Sequence, residues 1–315
     1  MSSVPPFVWL VVGGLLLPLL PLAIRRVAML ALPALTLFHL GQLEPGTVET
    51  ITFWGLELTI LDVNRFSLVF GWIFSITALV WAIYAWHLKK ALEPASAFVY
   101  GGGALGVVFA GDLLTLFHFW EVKALASTLV ILAAGTRHAR ESAFRYVLVH
   151  LAGGVLLLFG IAVHWHTAGN LEFGHLGDIA GVGNWLIFLG FAVNAAVPPF
   201  SAWVSDAYPE ASPSGTVFLS AFTTKTAVYV LATAFAGADL LVYAGAFMAI
   251  YGVFYALNEN DARRVLSYSI VNQVGFMICA AGIGTDLAIN GVAAHAFCHI
   301  LYKSLLLMSA GAVLY

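Results

Sequence analysis

Residues 194–229 read NAAVPPFSAWVSDAYPEASPSGTVFLSAFTTKTAVY, and the order of residue types in this stretch decides the fold. Pro198 and Pro199 fall inside an apolar run that begins near residue 183, and a polar segment from Ser205 to Glu210 follows. Proline has no N–H to donate and its ring collides with the preceding turn, so the run predicts a helix broken near its end. In a bilayer, freed carbonyls and amides persist only where protein or a water-filled cavity satisfies them, so a broken span implies a hydrated interior. A simple proline kink is the plainer alternative, but the polar continuation is more than a kink requires. Past the break, residues 213–235 form a second apolar run with Lys225 near its centre.

The same apolar texture extends over the whole chain. Of 315 residues, 61% are hydrophobic and 9% charged, with a mean hydropathy of +0.95, which leaves too little charge to cover a soluble domain. Apolar runs of roughly 20 residues, enough to cross a hydrocarbon core, recur from end to end. The spans fall near 6–24, 27–43, 65–86, 95–110, 113–134, 143–166, 183–204, 213–235, 240–257, 265–284 and 287–315. The first lacks the basic start and small-residue cleavage site of a signal peptide and reads as a mature helix. The reading is an all-α polytopic membrane protein of about eleven transmembrane helices with a broken seventh helix. It forms one membrane domain, with N-terminal helices and an outer hairpin over 1–110 and the remaining helices over 111–315. Residues 44–64 alternate polar and apolar, which predicts the hairpin rather than a helix.

The basic residues test this segmentation independently. Arg25, Arg26, Lys89, Lys90, Arg137, Arg140, Arg145, Arg263 and Arg264 all fall in alternate connections, and cytoplasmic loops carry such an excess. The opposite connections hold Glu44, Glu49, Glu57, Asp62, Glu172, Asp178, Asp239 and Asp286. This places the N-terminus outside a cell inner membrane. Cys279 and Cys298 lie within spans and read as small packing residues, without a disulfide or metal framework.

Three lysines, Lys123, Lys225 and Lys303, fall near the middle of apolar runs, where an ionised lysine costs roughly 2.5–3.5 kcal/mol, and Glu121 joins them. Such groups face a polar interior and serve as proton relays; the alternative is a static ion pair holding helices together. In the run FHFWEVK (117–123), His118 is three residues from Glu121 and shares its helical face, while Lys123, two residues away, points elsewhere. The predicted partner of Glu121 is therefore Lys225 on another helix. His295, His299 and Lys303 recur every four residues, a titratable stripe about 12 Å long. Imidazole passes protons through either ring nitrogen, so the stripe reads as a wire. Histidines at i and i+4 also suit a metal, but no third ligand is evident. Haem ligation among His118, His150 and the last helix is a further alternative. No glycine-rich nucleotide loop or nucleophile elbow appears, so no cofactor, nucleic-acid partner or covalent reaction is expected in this chain.

Beyond these readings, residues 194–229 resemble the signature of the antiporter-like subunits shared by Mrp antiporters and respiratory complex I. There a broken helix runs into a WLPDAH-like turn and then a helix with a central lysine. DARRVLSYSIVNQVG (261–275) and AHAFCHILYKSLLLMSAGAV (294–313) are similar to the next two family segments. The family has about fourteen spans and this sequence about eleven, so a second polypeptide supplying the closing helices, or a fragment, is implied. Carried over, Glu121 matches the family's glutamate on the fifth helix and Lys225 its lysine on the eighth. His295, His299 and Lys303 match its connecting polar residues. Where the family places a lysine on the first half of the broken helix, this chain has Asn194, with Lys123 an uncommon extra. The resemblance leans toward the D-type component of Mrp sodium/proton antiporters. It implies an ion-translocating subunit moving protons and Na+ beside other membrane subunits. A proton-pumping subunit of an NADH:quinone oxidoreductase, hydrogenase or inorganic-carbon uptake complex is the alternative. A structural subunit that has lost transport is a third reading.

Overall fold

A computed structural model describes residues 4–313. Helix α1 (Phe7–Leu16) passes through a short 3-10 turn, Leu17–Leu19, into α2 (Leu22–Leu40). A hairpin of β1 (Val48–Phe53) and β2 (Leu56–Asp62) leads to α3 (Arg65–Tyr84), α4 (Leu92–Phe109), α5 (Leu113–Leu132) and α6 (Arg137–Ala168). Then come α7 (Gly181–Asn194), the short α8 (Ala202–Ala207), α9 (Pro213–Ala234), α10 (Asp239–Leu257), α11 (Ala262–Ile283) and α12 (Asp286–Ala312). Among the described residues, nine helices are long and apolar enough to cross a membrane, and two shorter apolar helices, Phe7–Leu19 and Gly181–Asn194, join them. The chain is a multi-pass membrane protein.

The expected first span, 6–24, is too long. Pro18 caps the helix into its 3-10 turn and Pro21 starts the next, since each proline denies the helix a donor. In the seventh span, α7 stops at Asn194, before the prolines, and Ala196 takes the left-handed backbone with φ +60°. The chain then runs on to α8. Trp203 donates its indole N–H to the Val193 carbonyl at 2.9 Å, which satisfies a carbonyl at the end of the broken helix and ties α8 to it, while α8 itself packs on α6 and α11.

Contacts between connections divide the molecule into two ends. At one, Arg25 reaches the Lys89 carbonyl, Arg145 forms a bidentate pair with Asp206 (2.7 and 2.8 Å), Arg263 reaches the Ala211 carbonyl and Arg264 lies 3.7 Å from Glu210. At the other, Asp112 caps α5 through Thr115 N and takes the Thr59 amide at 2.7 Å, tying the hairpin to the helices. There too Leu113 pairs with Leu171, Leu176 with Ala234, and Gly237 with Ala281. The basic connections therefore share one end, as the alternation of charges requires. The hairpin forms with register Phe53 against Leu56 and Val48 against Asp62.

Helices α10 and α11 approach closely because their facing positions are glycines. A Cβ on Gly275 would lie 2.6 Å from the Ala249 amide nitrogen and the Gly245 carbonyl oxygen. Lipid offers no hydrophobic drive for helix association, so such van der Waals contact between backbones is what binds the pair. The axis of the bundle is α9, almost wholly buried and packed by α3, α4, α5, α7, α11 and α12.

Candidate functional site

Two polar clusters lie in the apolar interior, on either side of α9. In the first, Lys123 on α5 is fully buried, with Nζ 3.4 Å from Asn194 Oδ1 and 3.7 Å from the centroid of the Trp120 ring. The sequence reading that Lys123 points away from Glu121 holds for contact. The two are nevertheless within electrostatic range of each other. Glu121 is half-buried, and its carboxylate packs against Gly154 of α6, where any Cβ would collide with Oε1. That oxygen has no hydrogen-bond partner.

The predicted pair of Glu121 with Lys225 does not form. Lys225 is fully buried on α9 and donates to the Ser220 carbonyl at 2.8 Å, five residues back along its own helix. His118 does not share the site either. It is exposed, with Nδ1 2.7 Å from the Leu114 carbonyl, and lies under the hairpin beside Ile51 and Phe53. The helical wheel allows His118 and Glu121 one face, but His118 lies beside the hairpin while Glu121 packs on Gly154 of α6.

The second cluster gathers Lys225 with the α12 stripe. His299 and Lys303 are buried and His295 is half-buried, with His295 and His299 ring centroids 6.1 Å apart. Lys225 lies within electrostatic range of Lys303, His299 and His295. Lys303 donates to Ser269 Oγ, and Gln273 Oε1 takes both His295 Nε2 (2.9 Å) and the Tyr302 hydroxyl (3.0 Å). Both ring nitrogens of His299 are buried without a partner. Ser269 and Gln273 were invisible in the sequence, because only the packing of α11 on α12 brings them to the stripe.

Between the clusters runs a set of hydroxyl groups. Tyr146 of α6 meets Ser127 Oγ at 3.0 Å and Thr223 Oγ1 at 3.4 Å, and Tyr100 of α4 meets Thr223 Oγ1 at 2.6 Å. His150 is fully buried, its ring stacked on Tyr146 at 3.9 Å and edge-on to Trp203 at 4.6 Å. Its Nδ1 lies 2.9 Å from the Tyr146 carbonyl, which only accepts, so Nδ1 carries the proton and Nε2 is left as an unpartnered lone pair. Among the described residues, no ion pair includes Glu121, Lys123, Lys225 or Lys303. Neutral oxygens and a ring face supply the contacts of these buried lysines.

Residues 110–315 match the family described as NADH:quinone oxidoreductase/Mrp antiporter, transmembrane. The D-type component of the Na(+)/H(+) antiporter of Alkalihalophilus pseudofirmus is 31% identical over 229 residues, 67% of this chain and 46% of that protein. The N-type component of the NADH-quinone oxidoreductase of Desulforudis audaxviator is 29% identical over 284 residues, 82% of this chain and 56% of that one. A chain of the Mrp complex from Dietzia sp. DQ12-45-1b superposes with a TM-score of 0.89 at 27% identity, covering 98% of this chain and 37% of its own. One from respiratory complex I of Thermus thermophilus gives 0.79 at 23% identity, covering 98% and 70%, a likeness of fold alone. The chain spans about half the length of the curated relatives it matches.

Proposed function

Because the chain belongs to the NADH:quinone oxidoreductase/Mrp antiporter transmembrane family, we propose that it is an ion-translocating subunit of a multi-subunit cation/proton antiporter, exchanging Na+ for protons. The observation that carries this reading is the burial of Lys123, Lys225 and Lys303 in the bundle interior without an ion-pair partner among the described residues. An ionised lysine that is neither paired nor solvated by lipid needs a polar route through the protein, and such a route is what proton transfer uses. Protons pass between Glu121 and Lys225 and along the stripe of His295, His299 and Lys303, with His118 outside the path. The first 110 residues act as scaffold and hairpin cap, and the remainder, which coincides with the family match, carries translocation. Other membrane subunits of the same complex are its partners, in a cell inner membrane with the N-terminus outside, as the end carrying the loop arginines faces the cytoplasm.

The likeness to the NADH-quinone oxidoreductase relative, which extends over more of this chain, favours a second reading as a proton-pumping subunit of a redox-driven complex. The test is proton exchange in everted vesicles from an antiporter-deficient host expressing the native gene cluster. A pH-gradient dye is followed as sodium is added, for wild type and Lys225→Ala. Sodium-dependent dequenching that the substitution abolishes supports antiport. Equal signals, or none from either, point to the redox-driven reading.

A further inference from the structure

Lys123 is the buried ion whose surroundings fit its burial least. An ammonium has three donors, and here one acceptor, Asn194 Oδ1, stands at 3.4 Å with the Trp120 ring beneath. Asn194 is the last residue of α7, so the ammonium sits at the C-terminal end of a half-helix, where the helix dipole and unshared carbonyls favour positive charge. An amide oxygen, an indole face and a helix end each attract a cation without neutralising it. A static anchor would fill the remaining donors, because a buried ion left short of hydrogen bonds costs several kcal/mol.

Three buried polar atoms on the surrounding helices lack partners: Asn194 Nδ2 beside the ammonium, Glu121 Oε1 on its own helix and His150 Nε2 on α6. Glu121 and His150 are both within electrostatic range of Lys123. Two of the three orphans are proton acceptors, and the Tyr146 carbonyl fixes the tautomer that leaves His150 Nε2 free to accept. The lysine thus has a loose resting place, and two unsatisfied bases lie within electrostatic range of it.

Resting on the transport reading above, we propose that Lys123 is a mobile proton carrier of the path, with Asn194 as its resting acceptor and Glu121 and His150 as the groups to which it gives its proton. In the step, an N–H bond of the ammonium breaks and an O–H bond at Glu121 or an N–H bond at His150 Nε2 forms. The lysine is left as a neutral amine until it takes a proton again, and nothing is oxidised or reduced. The α5 lysine thereby supplies a switching charge at the end of α7, where this chain's own residue is the unchargeable Asn194.

The experiment compares sodium-dependent proton exchange in everted vesicles carrying the native complex. Wild type and Lys225→Ala are run beside Lys123→Arg, Lys123→Met and the exchange variant Lys123→Met/Asn194→Lys, with the membrane content of each measured by immunoblot. Arginine keeps the positive charge and can stack on the Trp120 ring but does not deprotonate, so a variant that accumulates normally separates proton transfer from fixed charge. The expected result is a loss of roughly tenfold or more for both single variants at unchanged membrane content, and substantial recovery in the exchange variant. Wild-type exchange with Lys123→Arg equally active overturns this proposal alone. No exchange in wild type overturns the transport reading, and this proposal with it. Should Lys123→Met fail to accumulate, Lys123→Arg decides.

Discussion

Asn194→Asp places a carboxylate where Lys123 now meets a neutral amide, without changing side-chain length or shape. At the observed 3.4 Å and an effective dielectric of about 20, the new attraction is roughly 5 kcal/mol, falling to about 2.4 kcal/mol when the separation doubles. Desolvation of the new carboxylate costs several kcal/mol, but that cost is present whether the ammonium is near or withdrawn. The difference between the two positions therefore grows by about 2.4 kcal/mol, which slows departure of the ammonium roughly 50-fold. Proton exchange in vesicles carrying the native complex is the assay, with thermal unfolding of the purified protein beside it. The expected outcome is slow exchange in a protein that melts no lower than Asn194→Leu. Wild-type exchange from Asn194→Asp refutes the reasoning, because a lysine that never leaves Asn194 has no departure to slow.

Three further outcomes follow from other parts of the molecule. Gly154→Ala puts a Cβ onto the Glu121 carboxylate, 2.8 Å from its Cδ; displacing that side chain costs about 0.5–1.5 kcal/mol, so exchange falls roughly three- to tenfold while the melting temperature barely moves. Gly275→Val drives a side chain into the backbone of Ala249 and Gly245, so α10 and α11 must part at about 1–3 kcal/mol. Thermal unfolding in detergent reads that loss against Gly291→Val, a helical position with open space around it. Asp62, at the end of β2, has its carboxyl raised above the ordinary 3.8 by burial and then by repulsion from Glu172, so its ionised form is disfavoured in the folded chain. The wild type loses stability as pH rises from that ordinary value through the folded one. Asp62→Asn melts higher than wild type at neutral pH and equally below the ordinary value.

The bundle was legible because bilayer thickness fixes the length of an apolar run, and because loop arginines and lysines alternate with acidic connections. The break announced itself through Pro198 and Pro199, although the helix stops earlier, at Asn194, and turns on Ala196. The site was legible only in part. Spacing of four aligned His295, His299 and Lys303 correctly, since one helix sets their geometry. It could not say which way Lys123 leans, because a long side chain two residues from Glu121 finds its partner on α7, across the bundle. The same limit produced the pairing of Glu121 with Lys225, where the lysine instead folds back to Ser220. His150 carried no signal beyond its residue type. Its role depends on a carbonyl of its own helix, a stacked tyrosine and an indole from α8.

Whether protons cross this chain through groups inside the bundle is tested most directly in the purified native complex reconstituted into liposomes. Internal pH is followed after a sodium step for wild type, Glu121→Gln and Lys225→Ala. Glu121→Gln is nearly isosteric and removes only the titrating group, so its effect reports chemistry rather than packing. Sodium-dependent proton movement is expected in wild type, and its loss in both variants with folding intact. Proton movement at wild-type rates in either variant would contradict a path through these groups.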